Sequence, residues 1–215
     1  MNGGICAATD RRDIALGLEN GGVVIFDKIN MIVKAQPVPS QDSTGSNAIA
    51  FLRYNENGER LIAVSRKGVI YDIRGGVTKT IRLPSPAAAP PSFGNNDSAF
   101  VALTNGDLYS ITAETATWTL NFIKAADKTA DQAPARLSTS GIFYKKIINK
   151  EHFYFPVFDR LMTYDSSGTL NLNNKMALNS MTVGTSLIVQ FSEGQDQLII
   201  LTENNICSFN LPINP

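Results

Sequence analysis

The stretch Ile14-Ala15-Leu16-Gly17-Leu18, followed by Asn20-Gly21-Gly22 and then Val23-Val24-Ile25-Phe26-Asp27, decides how this chain is read. Two short apolar blocks flank residues that tolerate positive φ, which is the signature of a tight β-hairpin. The pattern recurs four more times. Arg60 to Ser65 turns at Lys67-Gly68 into Val69 to Ile73, and Ala99 to Leu103 turns at Asn105-Gly106 into Asp107 to Ile111. His152 to Phe158 turns at Asp159-Arg160 into Leu161 to Asp165, and Gln197 to Leu201 turns at Asn204-Asn205 into Ile206 to Asn210. The last turn residues, Gly22, Gly68, Gly106, Arg160 and Asn205, follow one another at intervals of 46, 38, 54 and 45 residues. A unit of short strands repeated every 40–50 residues or so has the period of a propeller blade.

Flanking strands complete each unit. An apolar strand precedes the hairpin at Ile5 to Ala8, Ala48 to Leu52, Gly141 to Tyr144 and Ser186 to Phe191, with only Pro91-Ser92-Phe93 in the third unit. A more alternating strand follows, as in Val77 to Leu83 and Thr117 to Phe122. An apolar first strand and an amphipathic fourth strand fit an order from the inside of a blade to its watery edge. The endings Ile25-Phe26-Asp27, Ile70-Tyr71-Asp72 and Thr163-Tyr164-Asp165 resemble the Trp-Asp position of WD40 repeats, and Asn105 to Trp118 resembles a repeat of quinoprotein-like propellers. The resemblance runs over nearly the whole chain and implies an all-β fold: a β-propeller of about five four-stranded antiparallel blades in a single domain, residues 1–215. The blades are expected near 1–40, 47–84, 91–124, 137–178 and 183–215. The fifth has no recognisable fourth strand, because Leu211-Pro212-Ile213-Asn214-Pro215 follows its third. An unprotected outer strand invites pairing, so this edge is expected to meet another chain or further sequence.

Composition narrows the function classes. Nineteen Lys and Arg balance nineteen Asp and Glu, and no block of like charge stands out. Nucleic-acid binding is not expected, since phosphate neutralisation calls for a basic stripe. No apolar run approaches the roughly 18 residues of a membrane span, and Met1-Asn2-Gly3-Gly4 has no signal-peptide character. Cys6 and Cys207 are too few for a zinc site or a disulfide framework. They read as buried thiols, or as a pair bonded between the first and last strands.

No catalytic constellation emerges. His152 is the sole histidine and begins a strand in the aromatic stretch Phe153-Tyr154-Phe155, which reads as core. No nucleophile elbow, phosphate-binding glycine loop or metal-ligand spacing is present. A glycosidase needs two carboxylates roughly 5–10 Å apart; the innermost strands carry none in their interiors, and Asp10 and Glu193 fall just past strand ends. Asp127 and Asp131 read as solvated charge in a long connection. No cofactor and no metal are expected, and the chain is read as a non-enzyme.

What remains is a binding scaffold. The long connections from Pro37 to Asn47, Pro84 to Pro91 and Lys124 to Pro134 share one propeller face with the hairpin turns, and loops on a rigid scaffold commonly carry function. The expected interaction face comprises Glu19, Arg66, Lys67, Asn105, Asp159, Arg160 and Glu203. Its mixed charge suits specificity and steering. The expected partners are proteins, in a multi-subunit complex or through self-association at the blade-five edge. A carbohydrate-binding, lectin-like propeller is the alternative, though these repeats diverge too far for five equal pockets.

Overall fold

The computed structural model describes residues 4–39, 46–93, 98–104, 108–111, 143–147, 150–157, 160–165, 176–177, 187–190, 196–201 and 204–210. All helix or strand among them is β-strand. The chain divides into two compact units, Met1–Pro91 and Ser92–Pro215.

The first unit holds two four-stranded sheets. β1 (Gly4–Thr9), β2 (Asp13–Leu18), β3 (Val23–Asp27) and β4 (Val33–Val38) lie in sequence order, as do β5 (Ile49–Tyr54), β6 (Arg60–Ser65), β7 (Val69–Arg74) and β8 (Val77–Arg82). Every neighbouring pair is antiparallel, as short turns require. The decisive hairpin pairs Leu16 with Val24 and Ala15 with Ile25. Side-chain oxygens set the other ends: Asp10 Oδ1 accepts from the Arg12 and Asp13 N–H groups in an Asx-type turn, and Asn55 Oδ1 accepts from the Arg60 N–H across the β5–β6 connection.

The second unit follows the same plan. β9 (Ser92–Phe93), β10 (Ala99–Ala102) and β11 (Leu108–Ile111) form one sheet in the order β11-β10-β9. β12 (Phe143–Ile147), β13 (Lys150–Val157), β14 (Arg160–Asp165) and β15 (Met176–Ala177) form another, and β16 (Leu187–Gln190), β17 (Asp196–Leu201) and β18 (Ile206–Asn210) a third. The five sheets coincide with the five sequence repeats. The strand expected at 117–122 and the connection at 124–134 lie outside the described residues. The fifth sheet shows three strands among the described residues.

One boundary differs from expectation. The connection expected to begin at Pro37 begins after Val38, because Pro37 lies within β4. β4 is the outermost strand, where a missing N–H faces away from the ladder. The pairing there is irregular, with shifts between Val23 and Ile25 and between Ile25 and Phe26, and this absorbs the proline.

The core of the first unit lies between its sheets. Ala15 and Val23 from one sheet meet Ile49, Leu52, Leu61, Ala63, Tyr71 and Ile73 from the other in a single buried cluster. β6 is buried along its whole length, which explains its unbroken apolar run. Each fully buried Val, Leu or Ile contributes about 1.5–3 kcal/mol by area. The approach is closest at Gly17: a Cβ there would lie 2.6 Å from both Cys6 Sγ and Ile49 Cγ2. The Cys6 thiol donates to the Ile49 carbonyl at 3.2 Å, and burial pushes its pKa up to about 11 against the opposing pull of a Gly17 backbone hydrogen bond. Cys6 and Cys207 are both free thiols.

A charge pair is buried beside this core. Arg60 Nε donates to Asp72 Oδ1 at 2.9 Å and Nη2 to Oδ2 at 2.7 Å, with the side chains 0% and 2% exposed. Arg74 Nε stands 3.7 Å from Asp72 Oδ1. Bidentate geometry compensates the loss of hydration, but only while both partners remain.

Two stability outcomes follow. Asp72→Ala strands buried guanidinium charge and lowers the unfolding free energy by about 3–5 kcal/mol, whereas the double change Arg60→Met with Asp72→Leu recovers most of that loss in urea denaturation. Gly17→Ala forces the two sheets apart and costs about 1–3 kcal/mol in the same measurement.

Candidate functional site

The turns between the second and third strands of each sheet were the expected site, and the first unit shows how two of them are built. In the β2–β3 turn, Leu18 N–H donates to Gly22 O at 2.9 Å and Gly21 N–H to Leu18 O at 3.1 Å. Buried Asn20 turns its Oδ1 inward to accept from Gly22 N–H, leaving Glu19 exposed. In the β6–β7 turn, Gly68 N–H donates to Ser65 O at 3.0 Å and Val69 N–H to Ser65 Oγ at 3.1 Å. Arg66 and Lys67 occupy the two exposed positions of this turn.

The segment leading into β5 ties these turns together. Gly21 lies against it, since a Cβ there would fall 2.9 Å from the Asn47 carbonyl oxygen. From the other side, Arg66 N–H donates to Ala48 O at 2.8 Å. The β8-to-β9 connection behaves alike: Leu83 N–H donates to Gly68 O at 2.7 Å, and Ser85 O packs over Gly68. Glu19, Arg66 and Lys67 therefore stand at one end of the first unit, on backbone held by neighbouring segments, with their side chains in solvent. That arrangement presents a carboxylate and two cations from a rigid base, which suits recognition of a mixed-charge surface.

The remaining expected residues belong to the second unit. Arg160 opens β14, one residue earlier than the strand was expected to begin. Asn105, Asp159 and Glu203 lie outside the described residues, as do Glu193, Asp127 and Asp131. His152 lies in β13, opposite Lys145 and Asp165 in register. Asp10 caps the β1–β2 turn and so has a structural task. Among the described residues, no three His, Cys, Asp or Glu side chains gather to hold a metal, and no helix is long and apolar enough to cross a membrane.

One further surface lies outside the expected site. Ile29, Met31, Ile32 and Val33, at the opposite end of the first sheet, are exposed. Its signal was four apolar residues lying where a turn should carry polar ones.

The β6–β7 turn depends on Gly68, whose φ is +76°. Gly68→Ala combines a left-handed alanine with a Cβ 3.1 Å from Ser85 O. It lowers thermal-denaturation stability by about 1–2 kcal/mol.

Comparison with known proteins places the architecture. No protein-family model matches the chain, and no curated protein matches it either. Solved structures do. The β-propeller domain of Cps50 (Swd1) from Myceliophteria thermophila superposes with a TM-score of 0.69 at 14% identity, over 99% of this chain and 66% of that one. BBS1N, solved in complex with ARL6DN, gives 0.64 at 13% identity, over 94% and 61%. The computationally designed Ika8 protein gives 0.64 at 10% identity, over 95% and 57%. The chain thus spans between 57% and 66% of the length of these three chains. With five antiparallel sheets of consecutive strands among the described residues and these structural neighbours, the fold is that of a β-propeller.

Proposed function

We propose that this chain is a non-catalytic protein-interaction scaffold, a subunit or domain of a larger assembly, that binds through loops at the hairpin-turn end of its sheets. The observation that carries the proposal is the β6–β7 turn: its backbone is held by Ala48, Ser65 and Leu83, while Arg66 and Lys67 project into solvent. Exposed charges on fixed backbone bind with little loss of backbone freedom. The structural neighbours support the reading, since BBS1N was solved in complex with ARL6DN. In this proposal residues 1–215 act as one domain, and Glu19, Asn105, Asp159, Arg160 and Glu203 extend the face. The outer edge of β18 is a second contact for another chain, supported by its position at the margin of its sheet among the described residues.

The test is affinity capture from the native cell extract, read by quantitative mass spectrometry, with the Arg66→Glu/Lys67→Glu double variant as control. The expected result is a protein partner whose recovery falls about tenfold or more in the variant. Stability should stay within about 0.5 kcal/mol, since both positions are exposed. Equal recovery of the same proteins by both forms removes this face from the proposal.

A further inference from the structure

The turn between β3 and β4 stands at the opposite end of the first sheet from Glu19. Ile29 is 87% exposed, Met31 64%, Ile32 60% and Val33 61%. Four neighbouring aliphatic side chains in water are an exception for a hairpin tip, where polar residues are the rule. The tip is also held in shape. Asp27 N–H donates to Ile32 O and Met31 N–H to Asp27 O, both at 2.9 Å. Asp27 Oδ1 accepts from the Ile29 and Asn30 N–H groups at 2.9 and 2.7 Å. Met31 sits at φ +53°, the left-handed position that hairpin loops normally give to glycine or asparagine. A methionine there strains the backbone and displays a long apolar side chain outward, and such strain points toward function.

Charge surrounds the tip in an ordered way. Lys28 N–H donates to Arg12 O at 2.9 Å, which sets the β1–β2 turn beside it. Arg11, Arg12, Lys28 and Lys34 are all exposed. The nearby carboxylates are each engaged in hydrogen bonds. Asp10 and Asp27 accept from backbone N–H groups, and Asp13 accepts from Lys34 Nζ at 2.7 Å. Glu56 and Glu59 are exposed on the β5–β6 turn, but the β1–β2 turn stands between them and the tip, with Asp10 against Gly58.

We infer that this tip is a membrane-contacting wedge, in which Ile29, Met31, Ile32 and Val33 enter the interface of an anionic phospholipid bilayer while Arg11, Arg12 and Lys28 meet its headgroups. Apolar burial and attraction between cations and anionic lipids act together in interfacial binding. Protein-binding hot spots are enriched in Trp, Tyr and Arg, whereas the exposed apolar residues of this tip are Ile, Met and Val. An acyl-chain boundary accepts any aliphatic shape, so it suits this tip better. The inference does not depend on the interaction face at the other end, and both surfaces can be occupied together.

The experiment is co-sedimentation of the 215-residue chain with vesicles of phosphatidylcholine alone and of phosphatidylcholine mixed with phosphatidylserine. The wild-type chain is expected to sediment with the mixed vesicles and to stay in solution with the neutral ones. Ile29→Ser/Ile32→Ser and Arg12→Glu/Lys28→Glu should each weaken partitioning about tenfold or more. Met31→Gly should weaken it while melting at the same or a higher temperature, because glycine relieves the positive φ. Circular dichroism melts of all variants establish that folding is intact. Failure of the wild-type chain to bind anionic vesicles overturns the inference, as does equal binding by the folded Ser variant. So does loss of a captured protein in the tip variants with no vesicle binding, which assigns the tip to a protein instead.

Discussion

The contact between β2 and β5 at Gly17 is the constraint on which the described core depends. A four-stranded antiparallel sheet cannot bury its apolar face alone, so each repeat is stable only against the next. In the first unit the sheets meet where Gly17, Cys6 and Ile49 crowd together. The missing side chain lets Ala15 and Val23 reach the cluster around Ile49, Leu61 and Tyr71. That burial then makes the Arg60–Asp72 pair necessary, because two charges excluded from water need each other. A bidentate pair between adjacent strands also favours one register of β6 on β7 over its neighbours, since a shift by one residue would turn the two side chains to opposite faces.

Packing of this kind leaves two sets of sheet ends free, and the first unit treats them differently. At one end the connections press on the hairpin turns, with Asn47 and Ala48 between Gly21 and Arg66 and with Ser85 over Gly68. Glu19, Arg66 and Lys67 are polar ornaments on a stiff base. At the other end the β3–β4 turn carries aliphatic side chains into water on an internally bonded loop. The first unit therefore presents charged side chains at one end and aliphatic ones at the other.

Much of the fold was legible in the residues. The hairpins declared themselves through apolar pairs around Asn20-Gly21-Gly22 and Lys67-Gly68, and their strands fall where the pattern put them, with β3 at Val23–Asp27 and β6 at Arg60–Ser65. Pro37 reads as the start of a connection because a proline breaks an interior strand, whereas the edge strand β4 accommodates it. The exposed positions of Glu19, Arg66 and Lys67 followed from their places in tight turns. The apolar tip was missed because Ile29 to Val33 resembles the start of a strand when read along the chain, and its exposure depends on what does not pack against it.

The sequence by itself determined the strands, their hairpin pairing and the repeat, because these depend on local alternation and on residues such as Gly21 and Gly68 that permit a reversal. Tertiary structure alone decided which residues separated by 43 and 41 positions would touch: Cys6 with Ile49, and Thr78 with Pro37. It also decided which apolar side chains would be left in water. Periodicity specifies the face of a strand, whereas burial depends on the neighbour that covers that face, and the neighbour is chosen by the packing of whole sheets.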